Sequence, residues 1–152
     1  MDYAVGTSLP NSTALACAQR LMDVTPQVMQ TFRAEMRRHR PVDSVPEFRV
    51  LSYIERHRGT SLKAVTDHIG LSKASLSKIV ARLEQQDLVK RAAAAEDKRR
   101  HTISLTAHGE RTLAQVERAT LRSVAGRLAH LPRAELAVIA QALELLAAPF
   151  DS

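Results

Sequence analysis

SLKAVTDHIGLSKASLSKIVARLEQQDLVKRAAAAEDKRRHTISLT, residues 61–106, is the stretch whose reading decides the fold. Ser61 suits a helix N-cap, with Leu62, Val65 and Ile69 inward and Gly70 making a tight turn. Ser72 caps the next helix. At about 100° per residue, Leu76, Ile79, Val80 and Leu83 share one face. The opposite face exposes Lys73, Ala74, Ser75, Ser77, Lys78, Ala81, Arg82 and Gln85, small near the start and cationic further along. After Asp87 the period changes from helical to alternating. Val89-Lys90-Arg91 and Thr102-Ile103-Ser104-Leu105 read as two short strands joined by a loop. The tip, Ala92 to Glu96, lacks the usual Gly or Asn turn chemistry and is expected to be a mobile loop.

Two short helices around a tight turn, followed by a hairpin, predict a winged helix-turn-helix, a shape suited to the grooves of duplex DNA. A major groove about 12 Å wide admits a helix only where the approaching side chains are small. Ala74, Ser75 and Ser77 meet that need, while Lys78 and Arg82 can reach base edges or phosphates. Lys98-Arg99-Arg100 bring cations to the wing, and arginine suits a narrow, electronegative minor groove. Asp97, close by, can orient the Arg99 guanidinium by a charge-assisted hydrogen bond. The helix taken alone is equally consistent with an amphipathic surface helix that binds nothing. The wing favours DNA.

Charge distribution points the same way. The net charge is +6 over 152 residues, and residues 61–106 hold nine basic against five acidic side chains. The last 46 residues are balanced, so the excess is concentrated where a polyanion would dock. With 3% aromatic residues and no Trp, the core must be aliphatic; five glycines against abundant Leu and Ala favour helices. The length suits one domain, residues 1–152. A single cysteine, Cys17, excludes an intramolecular disulfide. The opening MDYAVGTSLPNS has no basic n-region or long apolar run, so it does not read as a signal peptide. No stretch approaches the roughly 18 apolar residues of a membrane span, and a cytoplasmic protein without membrane contact is expected.

Outside this stretch the pattern is helical. Residues 1–11 read as a flexible lead-in, and Ser12 or Thr13 caps a helix carrying Leu15, Leu21 and Val24 on one side. Pro26 either kinks that helix or begins a second one capped by Thr25. Val28, Met29, Phe32 and Met36 continue the spacing into Arg37, Arg38, His39 and Arg40, cations suited to a helix C-terminus. Val45-Pro46-Glu47 opens another helix, with Phe48, Val50, Leu51 and Ile54 inward and an end at Arg58-Gly59. Thr106 caps a long helix to about Leu131 through Leu113, Val116, Thr120, Val124 and Leu128. Beyond Pro132 a last helix aligns Leu136, Ile139, Ala140, Leu143 and Leu146. Its wide apolar face needs its own domain or a second subunit to cover it. The expected fold is mainly α with a small β-hairpin wing: a DNA-binding lobe over residues 46–106 between dimerisation helices at 12–40 and 107–148.

Asp97-x-Arg99, five residues, then Leu105-Thr106 resembles the wing signature of the multiple-antibiotic-resistance regulator (MarR) family. The segment Leu71 to Glu84, Leu88-Val89-Lys90-Arg91 and the Leu105-Thr106-x-x-Gly109 helix entry are similar to that family's versions, and the likeness covers roughly residues 12–148. It implies a triangular homodimer whose recognition helices enter successive major grooves of a pseudo-palindromic operator in double-stranded DNA. It also implies a repressor released by a small phenolic or anionic effector, or by oxidation. By the match Arg99 is the minor-groove arginine and Asp97 its orienting partner, with Ser72, Ser75, Ser77, Lys78 and Arg82 facing the major groove and its phosphates. Ala81 stands where many members carry an acidic residue, and Ala92 to Ala95 replace a more varied tip.

Other constellations carry less. Cys17, between Ala16 and Ala18, lies near the position of the reactive cysteine in the family's peroxide-sensing branch, but the chain's tyrosines, Tyr3 and Tyr53, are remote in sequence. An apolar setting makes a thiol inert, so a structural cysteine is favoured over a redox switch. The six histidines contain no i, i+3 or i, i+4 pair, and no metal site is expected. Met29, Phe32, Met36 and Phe48, with Arg49 or one of Arg37, Arg38 and Arg40 for an anion, are candidates to line an effector pocket; ordinary core is the plainer reading. No catalytic motif or cofactor site is recognisable. The leading reading is therefore a dimeric, sequence-specific repressor. Its alternatives are a redox-responsive regulator using Cys17, a non-specific architectural DNA-binding protein, and a winged helix used for protein contacts alone.

Overall fold

The computed structural model describes residues 12–39, 42, 44–94, 96–97, 99 and 100–150. Expectations for residues 1–11, Arg40 and Lys98 lie outside them. Helix α1 (Ser12–Arg38) is followed by α2 (Val45–Arg56), β1 (Thr60–Ser61), α3 (Leu62–Ile69) and α4 (Lys73–Gln85). Strands β2 (Val89–Ala93) and β3 (His101–Leu105) then lead into α5 (Ala107–Leu128) and α6 (Arg133–Phe150). The architecture is mainly α with one small antiparallel sheet, as the sequence pattern implies.

Local chemistry sets these boundaries. Four serine or threonine caps, Ser44, Ser61, Ser72 and Thr106, accept hydrogen bonds from the backbone N–H of the third residue on, Glu47, Ala64, Ser75 and Gly109. Gly70 ends α3 in the left-handed region at φ 72°. Helix α2 stops at Arg56 rather than Arg58 because His57 leaves helical geometry at φ −121° and ψ 65°, and the Thr60 N–H closes a turn on the His57 carbonyl at 3.0 Å. Gly59, at φ 74°, then turns the chain into β1. Helix α1 runs through Pro26 as one element, so no second helix starts there. Helix α5 ends at Leu128, three residues before the expected Leu131, where a turn links Leu131 N–H to the Leu128 carbonyl at 3.0 Å.

The strand order is β1-β3-β2, with Thr60 opposite Ile103 and Val89 opposite Leu105. Strand β1, two residues long, falls below the length at which alternation is readable. The hairpin also extends past its expected ends: Ala92 and Ala93 pair with Thr102 and His101, so this part of the tip is strand rather than loop.

Leu51, Ile54, Val65, Leu76, Val80, Leu83, Leu88, Ile103 and Leu113 fill the core between α2, α3, α4, the sheet and the start of α5. The flanking helices differ. Leu15 and Val24, expected on one side of α1, are more than half exposed, and none of the α6 side chains is buried. Within one chain these helices have too little to pack against, so their apolar residues face outward.

Candidate nucleic-acid interface

The N-terminus of α4 is built by its cap. Ser72 Oγ accepts from the Ser75 N–H at 3.1 Å and pairs with Ser75 Oγ at 2.8 Å. Leu76, Val80 and Leu83 are buried and Ile79 half-buried, while Lys73, Ala74, Ser75, Ser77, Lys78 and Ala81 are exposed. The helix therefore shows solvent a surface of small side chains flanked by lysines. Among the described residues neither Lys73 nor Lys78 is in an ion pair. Arg82 differs: its Nη1 lies 2.9 Å from Oε1 of Glu47, a buried carboxylate on α2. The guanidinium remains half exposed at the end of the same surface, and it also ties α4 to α2.

The wing is held at base and tip. Arg91 Nε meets Glu84 Oε1 at 2.8 Å, linking β2 to α4. Near the tip, the Ala94 N–H donates to the Arg100 carbonyl at 2.8 Å, and the Arg100 N–H donates to the Asp97 carbonyl at 3.0 Å. Asp97 acts differently from expectation: its carboxylate accepts from the Arg99 backbone N–H at 2.9 Å, an Asx-type turn that shapes the loop instead of clamping the guanidinium. Arg99 and Arg100 are exposed; Lys98 lies outside the described residues.

Away from this surface, an apolar cavity of about 540 Å³ opens between α1, α2 and α5. It brings together Met29, Phe32, Met36, Phe48 and Arg49, the five residues singled out from the sequence. Thr120 and Val124, on the expected inward stripe of α5, complete the wall with Leu121 and Glu117. Desolvation raises the Glu117 pKa above the usual carboxylate value; nearby Glu55 adds to the rise and Arg56 opposes it. Thr120 Oγ1 is buried without a hydrogen-bond partner. Glu117 was not foreseen, since nothing in local spacing marks a carboxylate beside an apolar stripe as facing inward, whereas Thr120 lay on the expected stripe. Cys17 is exposed, so the expected apolar shelter is not provided within one chain. No group of three metal-ligating side chains forms among the described residues.

The MarR family model matches residues 44–100, from the α2 cap to the wing tip. Over that segment the chain is similar to the MarR family. The transcriptional regulator HosA of Escherichia coli is 34% identical over 88 residues, which span 58% of this chain and 65% of that protein. The chain thus covers just under two thirds of this relative's length. Among solved structures, a MarR family protein from Bacillus stearothermophilus aligns with a TM-score of 0.80 at 21% identity, covering 92% of this chain and 96% of the other. Streptococcus pneumoniae FabT, solved in complex with DNA, aligns at 0.74 and 17% identity over 91% and 97% of the two chains. These likenesses extend the MarR fold beyond the matched segment to the flanking helices.

Proposed function

We propose that the chain is a sequence-specific, DNA-binding transcriptional regulator that acts as a homodimer, with α4 in the major groove and the Arg99 wing in the adjacent minor groove. The observation that carries this reading is the exposed face of α4, with small residues at its N-terminal end, unpaired lysines and a capped start, in a segment of MarR type. Small side chains let the helix approach base edges, Lys78 supplies the cation, and Ser75 and Ser77 supply hydroxyls. Titrating labelled promoter fragments across a salt series tests it. An operator should bind at least about a thousandfold more tightly than random duplex. Lys78→Ala should change the preference among operator variants as well as the affinity, by about 1–3 kcal/mol at the position it reads. Equal affinity for every duplex, with only a steep salt slope, supports an architectural coating protein instead.

The homodimer reading rests on the outer helices. Leu15, Met22 and Val24 on α1 and Val138, Leu143, Leu145 and Phe150 on α6 are at least half exposed in one chain. A second copy covers such a face and fixes the spacing of the two recognition helices. Sedimentation should give twice the monomer mass at micromolar concentration, and Met22→Glu, in the cleft between α1 and α6, should return it to the monomer. A monomeric wild type excludes this assembly.

The cavity between α1, α2 and α5 suits a small effector with an aromatic or other apolar body and a polar or anionic group directed at Arg49. Its walls join the lobe to the outer helices, so a ligand there can change the distance between recognition helices and release DNA, as a repressor requires. No helix among the described residues is long and apolar enough to cross a membrane, consistent with a cytoplasmic regulator.

A further inference from the structure

On the outer side of α2 lies a second cleft, about 270 Å³, formed with the end of α3 and different in character from the apolar cavity. Its polar lining is Arg49, Ser52, Tyr53, Arg56, His57 and His68, and it contains no carboxylate. Tyr53 stacks on His57 with ring centroids 4.1 Å apart and meets His68 at a tilt at 4.6 Å, and the two imidazoles are themselves 6.4 Å apart, so the three rings form a cluster. The His57 ring is fixed by its Nδ1, 3.0 Å from the Tyr53 carbonyl oxygen. Ser52 is 8% exposed, and its Oγ is buried in the wall without a hydrogen-bond partner. Neither Arg49 nor Arg56 forms an ion pair among the described residues. Arg56 acts electrostatically on Glu117, which does not line the cleft.

Two guanidinium groups, two imidazoles that become donors on protonation, and an unpartnered hydroxyl make a surface rich in donors and poor in acceptors. Such a set is unfavourable for a metal cation and complementary to an oxyanion. We propose that the α2–α3 cleft is a second ligand site, taking a small oxyanion, a carboxylate or a phosphate group. The arginines supply the charge-assisted hydrogen bonds. The His57–Tyr53–His68 cluster forms a rigid wall joining α2 to α3, and a rotation of the Ser52 hydroxyl gives that buried atom its partner. The site lies outside both the α4 surface and the wing, and it shares Arg49 with the apolar cavity.

The test uses the full chain with ring-labelled histidine, titrated with inorganic phosphate at fixed pH and ionic strength by exchange against chloride. Expected are saturable shifts of the His57 and His68 ring signals, with the remaining histidines unmoved. Arg56→Gln, at an exposed position that leaves the core intact, should weaken binding about tenfold or more, and Ser52→Ala should weaken it by a smaller factor. Parallel titrations with acetate and with duplex DNA identify the source. Saturation by acetate in preference to phosphate assigns a carboxylate. Movement of the same rings by duplex alone assigns a backbone phosphate. Shifts that rise linearly with all three, or a binding constant unchanged in Arg56→Gln, overturn the proposal.

Discussion

Gly109→Ala should lower the stability of the chain by at least about 3 kcal/mol, roughly 6–12 °C in melting temperature. A Cβ added at position 109 would lie 2.0 Å from the Leu88 carbonyl oxygen and 2.9 Å from its carbonyl carbon. Both atoms are backbone, so no side-chain rotation relieves the clash. The Leu88 carbonyl is also committed, accepting from the Thr106 N–H at 3.0 Å, and the Thr106 hydroxyl donates to the Asp87 carbonyl next to it. Asp87 is at φ 56°, a left-handed conformation held by this junction. The substitution must therefore push the first turn of α5 away from the base of the wing. Gly126, in the same helix, provides the control: its Cβ would meet nothing within 4 Å. Gly126→Ala should raise stability by about 0.5–1 kcal/mol through helix propensity. Urea or thermal unfolding of the two variants decides the matter. Equal and small effects would mean that the close approach at Leu88 is readily relaxed.

That junction shows what was legible in the sequence. Gly109 entered the family match as part of Leu105-Thr106-x-x-Gly109, but the pattern does not say why glycine is needed there; the reason is a carbonyl twenty-one residues earlier in the chain. The faces of α4 were readable because burial within a helix follows a fixed angular period, and the caps Ser61, Ser72 and Thr106 were readable because capping is local chemistry. Strand β1 was not, since two residues carry no period. For α1 and α6 the apolar spacing left open whether their own domain or a second subunit covers the face. Spacing shows that a face is apolar but does not name what covers it. The cavity was half legible: Met29, Phe32, Met36, Phe48, Thr120 and Val124 lay on helical stripes, whereas Glu117 depended on how α5 rotates against α1 and α2. Arg82 was read from its place on α4, with no local signal that its partner would be Glu47, thirty-five residues away.

That partner gives the second large expected effect. Glu47 is 2% exposed, and its carboxylate lies 2.9 Å from the half-exposed Arg82 guanidinium. Removing one member of a buried pair strands the other, which costs about 3–5 kcal/mol when both are buried. Solvent reaches Arg82 here, so the cost falls most heavily when Arg82 is removed and the enclosed Glu47 carboxylate loses this ion pair. Arg82→Met should destabilise by about 2–4 kcal/mol, and Glu47→Gln by about 1–2 kcal/mol. Replacing both should cost less than the sum, giving a coupling of at least about 1 kcal/mol in a double-mutant cycle of urea unfolding. A coupling near zero would reduce the contact to an incidental surface pair. The placement gives the pair a bearing on function as well. Val45, Phe48 and Arg49 line the apolar cavity, while Glu47 on the same helix holds the C-terminal half of α4. Glu47→Gln leaves every α4 side chain intact, yet it frees the helix from its tether to α2. The variant should bind operator more weakly while keeping its order of preference among base substitutions, in contrast to Lys78→Ala, which should alter that order. Titrating both variants on one set of operator mutants separates a residue that positions the recognition helix from one that reads the bases.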